Sequence, residues 1–366
     1  LSPSPTLLNA VADYASTAFR SRPARIVALT DLPRRARQAF SLSAPSWATA
    51  WRDRSRRAPP RTGPSIAVIG NCQARVLAQA MRLLAPESPV RYLSMGTLKR
   101  DHGHLDGLAR LLRGHDHVFS QAFPAGLIPG GDSAQLREAV PRLTLVPSIV
   151  FSAFHPDMVY AGAASDLAAL KLAPSPLGQY HSAIALFAHR LGLDAGKTVA
   201  LFREEVFGRL GYLDHWDPAV RELAAAAAQV GFPLDRELTR WARRGAFMHL
   251  MNHPKAFVLG DIAKRLLREG GLSPEPVEVE DYLGDELTQD VVWPIYPPIA
   301  EQFGLTGSYL FKARATAGHF PVLYDLPGFI AASFAMYDGL SAGDLHCPRV
   351  EAWLSAPDIV AMFRAG

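Results

Sequence analysis

The chain has 366 residues, 49% of them hydrophobic, and carries 38 Lys and Arg against 34 Asp and Glu for a net charge of +4. That content can bury a sizeable core in one large domain or two modest ones, which excludes a disordered or fibrous chain. Two cysteines, Cys72 and Cys347, cannot build a disulfide framework, and no Cys/His cluster has structural-zinc spacing, so a reducing compartment and no metal site are expected.

The charge is unevenly spread. Residues 1–62 hold 11 Arg, no Lys and 3 Asp, a balance of +8, which leaves −4 for the remainder. Helical patterns at about 6–20 and 32–40, then an Arg-rich run closing on Ala58-Pro59-Pro60, read as a basic helical appendage and linker over residues 1–62. Its arginines read first as a solvated helical face with an exposed linker, and after that as a contact for anionic lipid, nucleic acid or an acidic partner. Aromatic interleaving and DNA-reading motifs are missing, so nucleic acid is not an expected partner. With no run of roughly 18 apolar residues and no signal core, a soluble, cytoplasmic protein is expected, with membrane association through the appendage as an option.

Ser65-Ile66-Ala67-Val68-Ile69-Gly70-Asn71-Cys72-Gln73 reads as a buried strand running into a tight turn and then a helix, whose apolar face is Val76, Leu77, Ala80, Met81 and Leu84. Cys72 therefore falls at a helix N-terminus, where unpaired amides favour a thiolate or a bound phosphate and can lower a thiol pKa from about 8.5 toward neutrality. The same position also suits a small buried apolar residue. The turn lacks both common phosphate-loop spacings and resembles a nucleophile elbow with sulfur in place of oxygen.

Apolar runs at Val90–Leu93, Val118–Phe119 and Leu143–Phe151 alternate with helical patterns, notably Leu105–Leu112, predicting an α/β core over residues 63–160 built on a parallel sheet flanked by helices. Ligands collect beyond the carboxyl ends of such strands. In chain order the strands exit into Gly70 to Gln73, Ser94-Met95-Gly96, Ser120-Gln121 and Ser152-Ala153-Phe154-His155-Pro156-Asp157. A thiol, amides, hydroxyls, an imidazole and a carboxylate are thus expected on one edge. His155 is a candidate general base oriented by Asp157 or a carbonyl, and Asn71, Gln73 and Gln121 are candidate oxyanion donors, with turn chemistry as the other reading of each amide.

Residues 161–366 are mainly helical by pattern and are expected to complete the site. Leu177 to Ser182 leads into an apolar stretch ending at Leu191, Asp217-Pro218 opens a helix as N-cap and first-turn proline, and Asn252-His253 is expected to cap a helix beginning at Pro254. Residues 273–298, rich in proline and acid, read as an extended connection, and His319, His346 and Cys347 read as structural.

Together, Ile69-Gly70-Asn71-Cys72-Gln73, Phe154-His155-Pro156-Asp157, Tyr180-His181-Ser182 and Asn252-His253-Pro254-Lys255 resemble the WcbI-type polysaccharide biosynthesis family over roughly residues 65–335. The resemblance implies an SGNH-like or Rossmann-like core that binds coenzyme A and moves an acetyl group from acetyl-CoA to a sugar hydroxyl in capsule or surface-polysaccharide synthesis. The residue chemistry read above is compatible with that role, with a catalytic set of Cys72, His155, Asp157, Asn71, Gln73 and Gln121. The cofactor-binding set is Gly70, Arg75, Lys99, Arg100, His181, Asn252, His253 and Lys255, with the basic members answering CoA phosphates. Two other readings fit the same residues: a thiol esterase of SGNH-like type, and a noncatalytic CoA-binding scaffold.

Overall fold

The structure, a computed structural model, describes residues 61–162, 172–315 and 319–365. The helices expected at 6–20 and 32–40 lie outside the described residues.

Strand β1 (Ile66–Gly70) is buried along its whole length and pairs in parallel with β2 (Val90–Ser94) on one side and β3 (His117–Gln121) on the other. A run of apolar, mostly β-branched residues without alternation suits a strand covered on both faces. Ile66 and Val68 pack with Phe119 against the helices Cys72–Leu84 and Ala256–Glu269, whereas Ala67 and Ile69 pack with Val118 on the opposite side, against the helix Leu105–Leu112 and Leu136. Strand β4 (Leu143–Val146) completes the sheet in the order β2-β1-β3-β4, all parallel. The fourth apolar run is shorter than its hydrophobicity predicts because Pro147, with no amide hydrogen, follows Val146.

The strand order fixes where a ligand can go. The chain leaves β1 for β2, then crosses back to β3 on the other side of β1, so connections diverge above the crevice between β1 and β3. In open α/β sheets that crevice, at the carboxyl ends, is the ligand position. Gly70 and Gln121 are the last residues of the two strands that flank it.

The later helices share the sheet's core. Leu223, Trp241, Val258 and Leu266 bury with Leu77 and Phe151. A further cluster gathers the helices Ala183–Arg190 and Leu326–Tyr337 around Trp293, Tyr296 and Phe311. Two boundaries differ from expectation. The helix expected to open at Asp217 starts at Trp216 with His215 as a cap that gives no side-chain hydrogen bond, so Asp217 sits inside the first turn. His253-Pro254 is not a cap but a short strand paired with Met248–Leu250, and the helix behind it starts at Ala256, after Lys255. Its amide at Ala256 donates to the carboxylate of Asp285 at 2.9 Å, so the capping function comes from a residue 29 positions away. Among the described residues no helix is long and apolar enough to cross a membrane.

Candidate functional site

Cys72 opens its helix because Asn71 caps it: Asn71 Oδ1 accepts the Gln73 amide at 2.9 Å. A cap of this kind contributes about 1 kcal/mol. The Asn71 amide in turn donates to Gln121 Oε1 at 2.9 Å, a bond that crosses the crevice between β1 and β3. The contact requires glycine at position 70, where a Cβ would lie 2.3 Å from Gln121 Oε1 and 2.4 Å from the Ala74 Cβ. Tyr92 donates its hydroxyl to both the Gly70 and Asn71 carbonyls. These bonds fix the backbone of the turn through contacts within the chain.

The imidazole beside the thiol is that of His253. Its Nε2 lies 3.6 Å from Cys72 Sγ, and its Nδ1 is buried without a hydrogen-bond partner. Gln73 holds the two together. Its buried amide donates to the carbonyls of Ile149 (2.9 Å) and Asn252 (2.8 Å) and accepts the Ile149 amide, so the residue after Cys72 grips the residue before His253. Asn252 is locked from the other side, accepting from Tyr180 and donating to Tyr160 through its side chain.

Both members of the pair are neutral at rest. Burial pushes the Cys72 thiol up despite the neighbouring Gln73 and Cys72 amides, which act the other way, and Asp290 adds to the rise. This corrects the expected drop toward neutrality: a helix N-terminus lowers a thiol pKa only where desolvation does not exceed it. Burial also pulls the His253 imidazole down, against the carboxylates of Asp290 and Asp285. Both directions of shift favour a thiol beside a neutral imidazole over a thiolate–imidazolium pair.

Cys72 is half-buried and opens into a cleft of about 480 Å³ whose wall includes Arg75, Tyr92, Ser94, Asp290 and Arg314. Arg75 pairs with Glu286 at 3.1 Å, and Arg314 forms a two-pronged pair with Asp290 at 2.8 and 2.9 Å. These guanidiniums are the cations the cleft offers to an anionic ligand.

The expected site residues divide accordingly. Gly70, Asn71, Gln73, Gln121, Asn252 and His253 gather around Cys72; the Gln73 and Asn252 side-chain amides donate to partners within the chain and so set geometry instead of facing an oxyanion, whereas Asn71 and Gln121 are tied through their side-chain oxygens. His155 is not the imidazole at the sulfur. It is buried edge-on to Phe154, and burial drives its pKa down to about 3. Asp157 does not orient it through a hydrogen bond. Its carboxylate accepts the Ile184 amide and the hydroxyls of Tyr212 and Tyr296, pinning the start of the Ala183–Arg190 helix. His181 is likewise structural: one ring nitrogen meets the Tyr337 hydroxyl and the other the Ala173 carbonyl in a fully buried position. Lys99 and Arg100 are exposed on the short helix Leu98–His102, outside the cleft wall, with Arg100 against Asp101. Lys255 is half-buried before the Ala256 helix, and it too is outside that wall.

Asp285, Glu286, Asp290 and Arg314 escaped the sequence reading. The first three lie in the stretch read as a connector, and the signal there was a series of carboxylates between prolines that solvation alone did not require.

Comparison with curated protein sequences finds no match. A search of solved structures finds a chain described as WcbI, a novel polysaccharide biosynthesis enzyme. It has a TM-score of 0.60 at 17% identity and covers 82% of this chain and 97% of the other. That structure is described as the native protein without a disulfide bond between CoA and one of its cysteines. The likeness extends the shared α/β fold beyond the sheet. The family model for the polysaccharide biosynthesis enzyme WcbI matches residues 65–275, which run from the strand before Cys72 past its imidazole partner, and on that match the chain belongs to the WcbI family of polysaccharide biosynthesis enzymes.

Proposed function

We propose that this enzyme transfers an acyl group, acetyl in the simplest case, from coenzyme A to a saccharide hydroxyl during polysaccharide synthesis. The observation that carries the reading is the neutral Cys72–His253 pair, 3.6 Å apart at a helix N-terminus and open to a cleft with two arginines. The CoA named in the description of the structural neighbour supports the choice of donor.

In the covalent route, His253 Nε2 takes the Cys72 proton as the sulfur attacks the thioester carbonyl. The carbon–sulfur bond to CoA breaks, and CoA leaves as the thiol with that proton. The acceptor hydroxyl then gives its proton to His253 and attacks the acyl-cysteine; as the ester forms, the proton returns to Cys72. General-base help of this kind contributes about a hundredfold to ten-thousandfold. In the direct route His253 deprotonates the acceptor hydroxyl and Cys72 only shapes the pocket. Arg75 and Arg314 would exchange their carboxylate partners for CoA phosphate oxygens.

The test compares Cys72→Ala and Cys72→Ser for acetyl-CoA turnover, with mass spectrometry for an acetylated intact protein. Loss of turnover in Cys72→Ala together with a trapped acetyl adduct on the wild type supports the covalent route. Full activity in Cys72→Ala removes it. If neither CoA nor acetyl-CoA raises the melting temperature of the wild type, the donor assignment falls, because a ligand selective for the native state must stabilise it.

A further inference from the structure

A second cleft of about 690 Å³ adjoins the first, between the outer face of the Cys72 helix and residues 283–289. That volume lies in the range of about 300–1,000 Å³ typical of small-molecule sites. The two clefts share Glu286 and Gln289 as a common wall. Gln79, on the second cleft, is seven residues along the helix from Cys72, about 10 Å at the helical rise, which is within the span of a disaccharide.

The chemistry of the two clefts differs. The cleft at Cys72 offers the guanidiniums of Arg75 and Arg314. The second offers amides and carboxylates, from Gln79, Gln289, Asp285 and Glu286, beside the apolar side chains of Leu83 and Leu283. Its Arg82 is turned to the Val90 carbonyl through Nε and Nη2. The Gln289 side chain makes no hydrogen bond among the described residues, and Glu286 is held at the divide by Gln79 and Arg75. Paired donors and acceptors beside apolar patches match the hydroxyls and ring faces of a sugar. The Cys72 cleft also carries two carboxylates, Glu286 and Asp290, but sets two guanidiniums against them, whereas the lining of the second cleft has Arg82 alone, turned to Val90, which makes it the poorer host for a phosphate.

We propose that the second cleft binds the acceptor, and that the acceptor is an uncharged oligosaccharide rather than a nucleotide-activated sugar, reaching over Glu286 and Gln289 to present a hydroxyl at Cys72. The assignment rests on the acyl-transfer reading, and it deepens that reading by naming the substrate class. It places the enzyme after the glycosyl transfers that build the chain, since a sugar still carrying a nucleotide would bring phosphates into a cleft whose one lining guanidinium, Arg82, is already turned to Val90.

The test uses the whole protein and a panel of neutral disaccharides (mannobiose, cellobiose, lactose and maltose), with UDP-glucose and GDP-mannose as charged counterparts. Binding is read by saturation-transfer NMR up to tens of millimolar, and CoA affinity by calorimetry. Gly284→Trp adds bulk to the cleft lining: a Cβ at Gly284 meets nothing within 4 Å, so the substitution does not displace the core. Leu283→Ala, at a residue that lines the second cleft and not the first, is the milder second variant. At least one neutral disaccharide is expected to bind the wild type, with affinity reduced about tenfold or more in Gly284→Trp and less in Leu283→Ala, while CoA affinity stays within twofold. The proposal is overturned if no disaccharide binds, if Gly284→Trp leaves binding intact, or if the nucleotide sugars bind more tightly than the disaccharides in a manner that Gly284→Trp abolishes. Loss of CoA affinity in Gly284→Trp overturns it as well, by giving the cleft to the donor. Failure of CoA to bind the wild type is a separate result and tells against the acyl-transfer reading itself.

Discussion

Cys72 Sγ and His253 Nε2 lie 3.6 Å apart although 181 residues separate them in the chain. The distance is set by Gln73, which anchors the helix bearing the thiol to the backbone of Asn252 next to the imidazole.

Because burial raises the thiol and lowers the imidazole, the pair is not a preformed thiolate–imidazolium. Alkylation of Cys72 by iodoacetamide at about pH 7 is expected to be slower than that of free cysteine, rising about tenfold per pH unit into the alkaline range, since the thiolate fraction grows only as pH approaches the raised pKa. A rate already at plateau at neutral pH would mean an ion pair and contradict this. His253→Ala is expected to reduce acyl transfer about a hundredfold or more while leaving the alkylation profile without an acid-side plateau.

The turn tolerates no side chain at position 70 and no shorter one at position 73. Gly70→Ala forces a methyl group against Gln121 and Ala74 and is expected to destabilise the fold by about 1–3 kcal/mol, the usual cost of overpacking. Gln73→Ala strands the buried Ile149 amide and the Ile149 and Asn252 carbonyls, with an expected loss of about 2–4 kcal/mol. Urea unfolding of both variants measures this. A Gln73→Ala protein as stable as the wild type would show that the clamp does not hold the two segments together.

Acid should unfold the protein through His155 and His181. Their pKa values, pulled to about 3 and about 4 by burial, lie below that of an unfolded histidine, so the unfolded chain binds more protons as pH falls below about 6.5. Stability conferred by the neutral rings is full above that pH and is lost progressively toward pH 4, on the order of 5 kcal/mol for the two together. Asp157, raised by burial, works in the opposite sense in the lower part of the window. The urea midpoint is expected to fall between neutral pH and about pH 4.5, and His181→Gln to flatten that slope whatever its effect on the midpoint itself. An unchanged slope would mean that His181 stays out of the titration.

The sequence by itself determined the local elements around the site. The apolar run Ile66–Ile69, the glycine and the 3.6-residue periodicity from Val76 to Leu84 are enough to specify strand, turn and helix, and the alternation of runs predicts a parallel sheet with its ligand edge at Cys72. Local pattern carries this information because hydrogen bonding and burial in these elements repeat over a few residues. Which imidazole meets the sulfur was decided by tertiary structure alone. His155 and His253 both come after short apolar segments, and nothing in their neighbours distinguishes a ring buried against Phe154 from one turned toward Cys72. The direction of the thiol pKa was also a tertiary outcome, because the helix end acts over one turn whereas desolvation depends on everything packed around the sulfur. The acidic stretch 273–298 shows the same division: its composition reads as a connector, and only packing against the Cys72 helix turns Asp285, Glu286 and Asp290 into a wall of two clefts.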